Sequence, residues 1–176
     1  GSGYTFRFSY TFGSASGTLG STSLKLVSST AGKAVYQWTV PDALANQIPN
    51  ALWGVGTMTM DIYDGGDYVG TVQASFTAYV PDSMRPTATL QVTVVNDNAA
   101  VKGWGLCVQG LSRLQYTVKA AGTGGASVKA CRFSFAGQTV TGTSGTTALI
   151  GSAGSLKPSV TVTDSRGRSA TVTGSA

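Results

Sequence analysis

Side chains able to do chemistry are scarce in this sequence. Its seven acidic residues are all aspartates, and it has no histidine and no glutamate. Asp61, Asp64 and Asp67 are spaced by three around Gly65-Gly66, an oxygen-rich pattern of the kind that can hold calcium. Asp61, however, falls inside a strand-like run, and Asp64 and Asp67 flank a hairpin tip, where aspartate is favoured for turn geometry alone. The pattern therefore predicts no metal site. Asp42, Asp82, Asp97 and Asp164 fall at caps, turns or a junction. General acid–base or triad catalysis has almost no candidate residues here, and zinc is close to excluded without histidine. The expectation is a protein with no catalytic residues and no cofactor.

Cys107 and Cys131 leave two readings open. A disulfide closing a loop of that size would stabilise by roughly 3 to 4 kcal/mol. Cys107 alternates away from Leu106 and Val108, whereas Cys131 shares a face with Phe133 and Phe135, so the two faces need not meet. That favours separate thiols.

For binding, the candidates are aromatics that fall off the core registers: Tyr63, Tyr68 and Tyr79 near a hairpin, and Trp53 in a loop over 50–56. Aromatic faces stack on sugars and anchor protein partners. Tyrosines on the wet face of a strand are equally ordinary β formers, which is the favoured reading, and Trp53 is the least ordinary of the four.

The elements that must position these residues are strands. Residues 158–173 alternate Val160 and Val162 with Thr161 and Thr163, break at Asp164-Ser165-Arg166-Gly167-Arg168, and resume with Ala170 and Val172, which predicts an antiparallel hairpin with one buried face. Tyr4, Phe6, Phe8 and Tyr10 alternate with polar residues in a first strand whose aromatic face suits a core. Residues 13–23 read as a Gly/Ser-rich loop, and Leu24 with Leu26 opens a second strand. After a turn at Ala31-Gly32-Lys33, Tyr36, Trp38 and Val40 share a face, with Trp38 the candidate core tryptophan. Residues 41–49 form the one helical-looking segment, with Asp42 placed as its cap. Met58, Met60 and Ile62 pair across Asp64-Gly65-Gly66-Asp67 with Val72, Ala74, Phe76 and Ala78 in a further hairpin. In the second half, Ala88 to Val94, Trp104 to Val108, Leu114 to Val118 and 129–135 read as strands, residues 137–145 as a turn and edge, and Leu149-Ile150 as buried.

Charged residues make up 11% and hydrophobic ones 41% of the chain, with 24 glycines, a balance too apolar for disorder and too rich in turn formers for helices. The net charge of +5 comes from twelve Lys and Arg spread singly, without the runs or Arg/aromatic platforms of a nucleic-acid surface. No apolar stretch is long enough to cross a bilayer as a helix, no leader is visible, and Gly1-Ser2-Gly3 reads as a linker. A strand, a Gly-containing tip and a closing strand recur at 57–80 and 160–173, each as the final feature of its half. The chain is therefore expected to be a tandem of two related domains, 1–82 and 86–176, with the junction stiffened by Pro81 and Pro86. A connection that short favours domains joined end to end in a rod, which small-angle scattering would reveal.

Several runs carry a resemblance. Residues 104–112 (WGLCVQGLS), 118–122 (VKAAG) and 160–168 (VTVTDSRGR), with 38–41 (WTVP) and 46–51 (NQIPNA) in the first half, are similar to the repeating domain of a family of long-tailed (siphovirus) phage tail structural proteins of unassigned function. Trp53 and Cys107 depart from that pattern. The resemblance implies immunoglobulin-like β-sandwiches in a tail-tip or fibre protein and brings no catalytic residues. On it rests the expected function, a non-enzymatic tail, baseplate or fibre component acting as spacer or in host-surface recognition. Its expected partners are other tail or surface subunits and a cell-surface glycan or protein, with no nucleic acid and no membrane insertion; its place is the virion tail. The competing expectation is a bacterial surface or secreted adhesin pair that binds a glycan or host protein.

Overall fold

The computed structural model describes residues 3–20, 24–154 and 156–174, the side chain of Leu24 excepted. Gly1-Ser2, the end of the 13–23 segment and the side chain of Leu24 lie outside the described residues. The chain divides into two compact units, Gly1–Pro81 and Asp82–Ala176.

The first unit contains β1 (Tyr4–Phe12), β2 (Ala15–Leu19), β3 (Leu24–Thr30), β4 (Lys33–Trp38), a short 3-10 helix (Asp42–Gln47), β5 (Trp53–Asp64) and β6 (Asp67–Tyr79). Four strands form an antiparallel sheet in the order β2-β1-β5-β6, and β3 and β4 form a separate hairpin. The β5–β6 tip is a two-residue turn of Gly65 and Gly66, whose φ values of 57° and 95° suit the left-handed turn that matches strand twist. Register places Phe8, Met60 and Val72 in one row across the sheet and Tyr10, Met58 and Ala74 in the next. The β3–β4 hairpin covers only part of this apolar face. Trp38 stands edge-on to Phe76, with ring centroids 5.3 Å apart, and 5.0 Å from the ring of Tyr10. It packs, half-buried, against a core whose fully buried members are Phe12, Leu44 and Ala78.

Glycines in β5 make room for those aromatic rings. A Cβ at Gly56 would lie 2.4 Å from Cζ of Phe76 and 2.6 Å from the Thr11 carbonyl oxygen. Gly56→Ala is thus expected to displace Phe76 and destabilise the first unit by about 1–3 kcal/mol, read as a lower urea midpoint. An unchanged midpoint would show that the ring moves freely.

Several expectations need correction here. Within 13–23, Ala15–Leu19 is a strand, because its backbone completes the ladder along β1 with Phe8 facing Leu19 and Phe12 facing Ala15. Tyr4 and Phe6 are about half exposed, since the described residues of the unit cover their end of the sheet only in part. Asp42 is not the cap: Pro41 occupies that position, Asp42 is the first helical residue, and no side chain makes a cap hydrogen bond. Trp53 opens β5 and is not in a loop.

The second unit contains β7 (Thr87–Val95), β8 (Arg113–Ala121), β9 (Val128–Phe135), β10 (Gln138–Thr141), β11 (Ser144–Thr146), β12 (Ser159–Asp164) and β13 (Ser169–Thr173). Strands β11-β8-β7 make one antiparallel sheet and β10-β9-β12-β13 the other. The inward residues of both sheets, Leu114, Tyr116, Phe133, Val160 and Val162, and Ile150 from the segment between β11 and β12, are almost wholly excluded from solvent. That is a β-sandwich, in which period-two alternation puts every second side chain between the layers. The final hairpin lies as its alternation predicts, with Val160 facing Val172, Thr161 facing Thr171, and Gly167 at φ 81° in its tip.

Trp104 to Val108 is not a strand. The segment from Asn98 to Ser112 is a chain of turns, held by Asn96 Nδ2 donating to the carbonyls of Trp104 (2.7 Å) and Leu106 (3.1 Å), and it leaves Trp104 and Leu106 exposed. Of the pair expected inside, Ile150 is buried and Leu149 is not.

Candidate functional site

The four aromatics singled out in the sequence lie on one face of the first unit's sheet, in two separate pairs. Trp53 is directly opposite Tyr79 where β5 begins, and they are 56% and 73% exposed. At the far end Tyr63 is opposite Tyr68, with rings 5.8 Å apart and inclined at 68°. A bulge between Ile62 and Tyr63 leaves Val69 without a partner on β5 and brings Tyr68 round beside Tyr63. The Arg7 guanidinium lies 4.6 Å from the centroid of Tyr63, and Tyr68 Oη, Thr71 Oγ1 and Asp61 Oδ1 form a chain with spacings of 2.5 Å and 2.6 Å. Ten residues of strand separate the pairs, ~34 Å. They do not converge on one ligand.

Asp61 takes a hydrogen bond from Thr71 on that outer face, whereas Asp64 and Asp67 face each other across the glycine turn. Among the described residues no three His, Cys, Asp or Glu side chains are grouped so as to hold a metal ion. Concavities occur in the first unit, two of them lined by apolar side chains. One, of about 80 Å³, is lined by Phe12, Leu44, Ile48 and Ala78, smaller than the several hundred cubic ångströms of a small-molecule pocket. The other is a shallow apolar groove of about 440 Å³ over Phe6, Phe8, Leu19, Leu26 and Tyr36.

In the second unit the polar cluster is one that strand periodicity does not announce. Asp164 Oδ1 accepts from the backbone N–H of Arg166 and of Arg168, both at 2.9 Å. Arg166, 7% exposed, donates from Nη1 to the Thr123 carbonyl at 2.9 Å and from Nη2 to that of Gly124. Backbone bonds reinforce this, Ser165 N–H donating to Ser127 O at 2.7 Å and Ser127 N–H to Ser165 Oγ at 3.0 Å. Burial lowers the affinity of Arg166 for its proton, and the neighbouring Asp164 charge opposes that shift. Arg168 reaches the Met84 carbonyl at 3.1 Å and the exposed Asp82 carboxylate at 3.4 Å. The Asp164 bonds shape the hairpin tip and the others tie it to the segments beside it, which is structural work. The available signal was the spacing Asp-Ser-Arg-Gly-Arg at a turn, in which an arginine next to an aspartate reads as solvated unless the packing around it is known.

The cysteines are free thiols, Cys107 exposed and Cys131 buried in the second unit's core. Iodoacetamide should label Cys107 alone in the native protein and both after denaturation without reductant. Failure to label either in denaturant would mean that they are joined. Burial pushes the Cys131 thiol above its ordinary value of 9.0, and burial followed by the charge of Cys131 pushes Tyr116 above 10.0. Both groups give up a proton more readily in the unfolded chain. Their contribution to stability is thus whole below about pH 9 and is lost as pH rises past it. A urea midpoint that falls between pH 8 and 11, and falls less in Cys131→Ala, is the expected result.

The strands, their antiparallel ladders and the sandwich core define an all-β protein. Residues 1–175 match the family described as siphovirus protein of unknown function (DUF859), and the chain belongs to that family. No curated protein and no solved structure shows significant similarity to it.

Proposed function

We propose that this chain is a non-enzymatic structural component of the siphovirus tail, baseplate or fibre, built from immunoglobulin-like modules and acting in assembly. Its membership of a siphovirus family supports a phage structural protein over a bacterial adhesin. The observation that carries the assembly reading is the contrast between the units: the second seals its core between sheets of three and four strands, while the first leaves Tyr4, Phe6, Leu26, Tyr36, Val69 and Val72 about half exposed or more. Exposed apolar surface on that scale marks an interaction face. The order β7-β8-β11 opposite β10-β9-β12-β13, with the chain crossing between sheets after β8, β10 and β11, supports the immunoglobulin-like assignment. In the first unit, β2-β1-β5-β6 repeats the order β10-β9-β12-β13, a hairpin laid beside the last hairpin, which supports two related modules. Separation of the outer-face aromatics into two distant pairs favours assembly over ligand reading.

The test is to separate purified virions into heads and tails and locate the chain by mass spectrometry and antibody labelling; presence in the tail fraction is expected, and absence from the virion overturns the reading. Pull-down on host cell walls separates assembly from recognition. Saturable binding abolished by Trp53→Ala would move the function to recognition.

A further inference from the structure

Strand β6 ends the first unit's sheet, and among the described residues it pairs only with β5. Natural edge strands are shielded by shortness, by proline or by charge. The outer strands β2, β10, β11 and β13 are three to five residues long. Strand β7 is longer but follows Pro86, and its Leu90 and Val92 lie against Gly174 at the end of β13. Strand β6 has none of these three: it runs for 13 residues, from Tyr68 to Tyr79 it has neither a charge nor a proline, and its one interruption is the bulge at Val69. Along it Gly70 and Phe76 are half-buried and Ala78 is buried, and the other residues are exposed.

We propose that this edge pairs antiparallel with β6 of a second copy, about a two-fold axis at Gln73, joining two four-stranded sheets into one of eight. The inference rests on the reading of the first unit as the assembling one and names its partner. A two-fold centred on Gln73 keeps faces matched from Gly70 to Phe76, the stretch inside the bulge at Val69. On the apolar face Val72 comes opposite Ala74 of the copy and Gly70 opposite Phe76, large against small. On the polar face Thr71 meets Ser75 and Gln73 meets itself. No like charges oppose one another anywhere in the pairing, the condition a self-complementary surface must meet. A second copy meets it because the strand is uncharged. A Cβ at Gly70 has open space, so the backbone of the copy can approach there without a clash. The pairing supplies about one main-chain hydrogen bond per residue pair. The edge is ~44 Å long and ~10 Å deep, so the two copies bury about 900 Å² together, short of the roughly 1,200 Å² at which specific, stable interfaces begin and in the range of weak, transient ones. A weak, concentration-dependent dimer with a dissociation constant on the order of 0.1 mM is expected. The assembly closes, because each β6 is used up and the remaining edge of the sheet is the short β2.

Sedimentation velocity of the whole chain between about 1 µM and 1 mM provides the test, with circular dichroism to confirm folding. The wild type should pass from monomer to dimer. Gln73→Lys, an exposed change that gives up only a 3.3 Å bond to Thr59, places two ammonium groups face to face and should hold the chain monomeric. Gln73→Asp should do the same, and an equimolar mixture of the two variants should restore the dimer. A wild type that stays monomeric throughout overturns the pairing, as does a Gln73→Lys variant that dimerises like the wild type or a mixture of folded variants that does not associate. A monomer found in tail fractions would overturn this inference alone and leave the tail reading standing.

Discussion

Phe133→Ala is expected to cost the second unit about 3–5 kcal/mol, the range for removing a fully buried aromatic side chain. Phe133 lies at the centre of the sandwich, wholly excluded from solvent, with its ring 4.2 Å from that of Tyr116 and parallel to it within 4°. Its strand is flanked by β10 and β12, so its neighbours Val160 and Val140 are held by ladders that cannot collapse into the void. Tyr116 would lose a stacking partner while its hydroxyl stayed anchored to the Gly142 carbonyl at 3.0 Å. Urea unfolding followed by far-ultraviolet circular dichroism should show the loss in the second unit's transition. A cost below about 1.5 kcal/mol would mean that the core repacks around the cavity.

Arg166→Leu should cost a similar amount by a different route, about 3–5 kcal/mol. The substitution keeps an apolar stem but removes the donors to the Thr123 and Gly124 carbonyls and leaves the Asp164 carboxylate, 2% exposed, without the charge beside it. Oδ2 of Asp164 is buried and has no hydrogen-bond partner among the described residues. Asp164→Asn keeps an acceptor for the Arg166 and Arg168 amides while removing the charge. Adding it to Arg166→Leu should therefore recover part of the loss, giving a double variant less destabilised than the sum of the singles. Strict additivity of the two would show that the groups are not energetically coupled.

Local alternation was enough to read the strands that carry their own pattern. Val160, Val162, Ala170 and Val172 gave the last hairpin, and Met58 to Ala78 gave β5 and β6 with their glycine turn, because a period of two and a turn former are properties of adjacent residues. The all-β class followed from the same local facts, and the family resemblance followed from short runs of sequence. The sparse chemistry was equally visible, since an absence of histidine and glutamate is compositional.

What lay beyond the sequence depends on partners far along the chain. Strand β2 is Gly/Ser-rich and becomes a strand only because β1 offers it a ladder, with Gly17 leaving room for the ring of Tyr10. Alternation identified Tyr4 and Phe6 as one face of a strand but could not say that they would stay about half exposed, because cover comes from elements 20 to 30 residues away. Burial of Arg166 is decided by Thr123 and Gly124, 43 and 42 positions distant, whose carbonyls make a guanidinium acceptable where solvent is excluded. The four outer aromatics look clustered in the sequence around a hairpin, yet register on β5 and β6 sets them in pairs at opposite ends of a long sheet. Pairing across strands fixes such positions, and only the folded chain contains it.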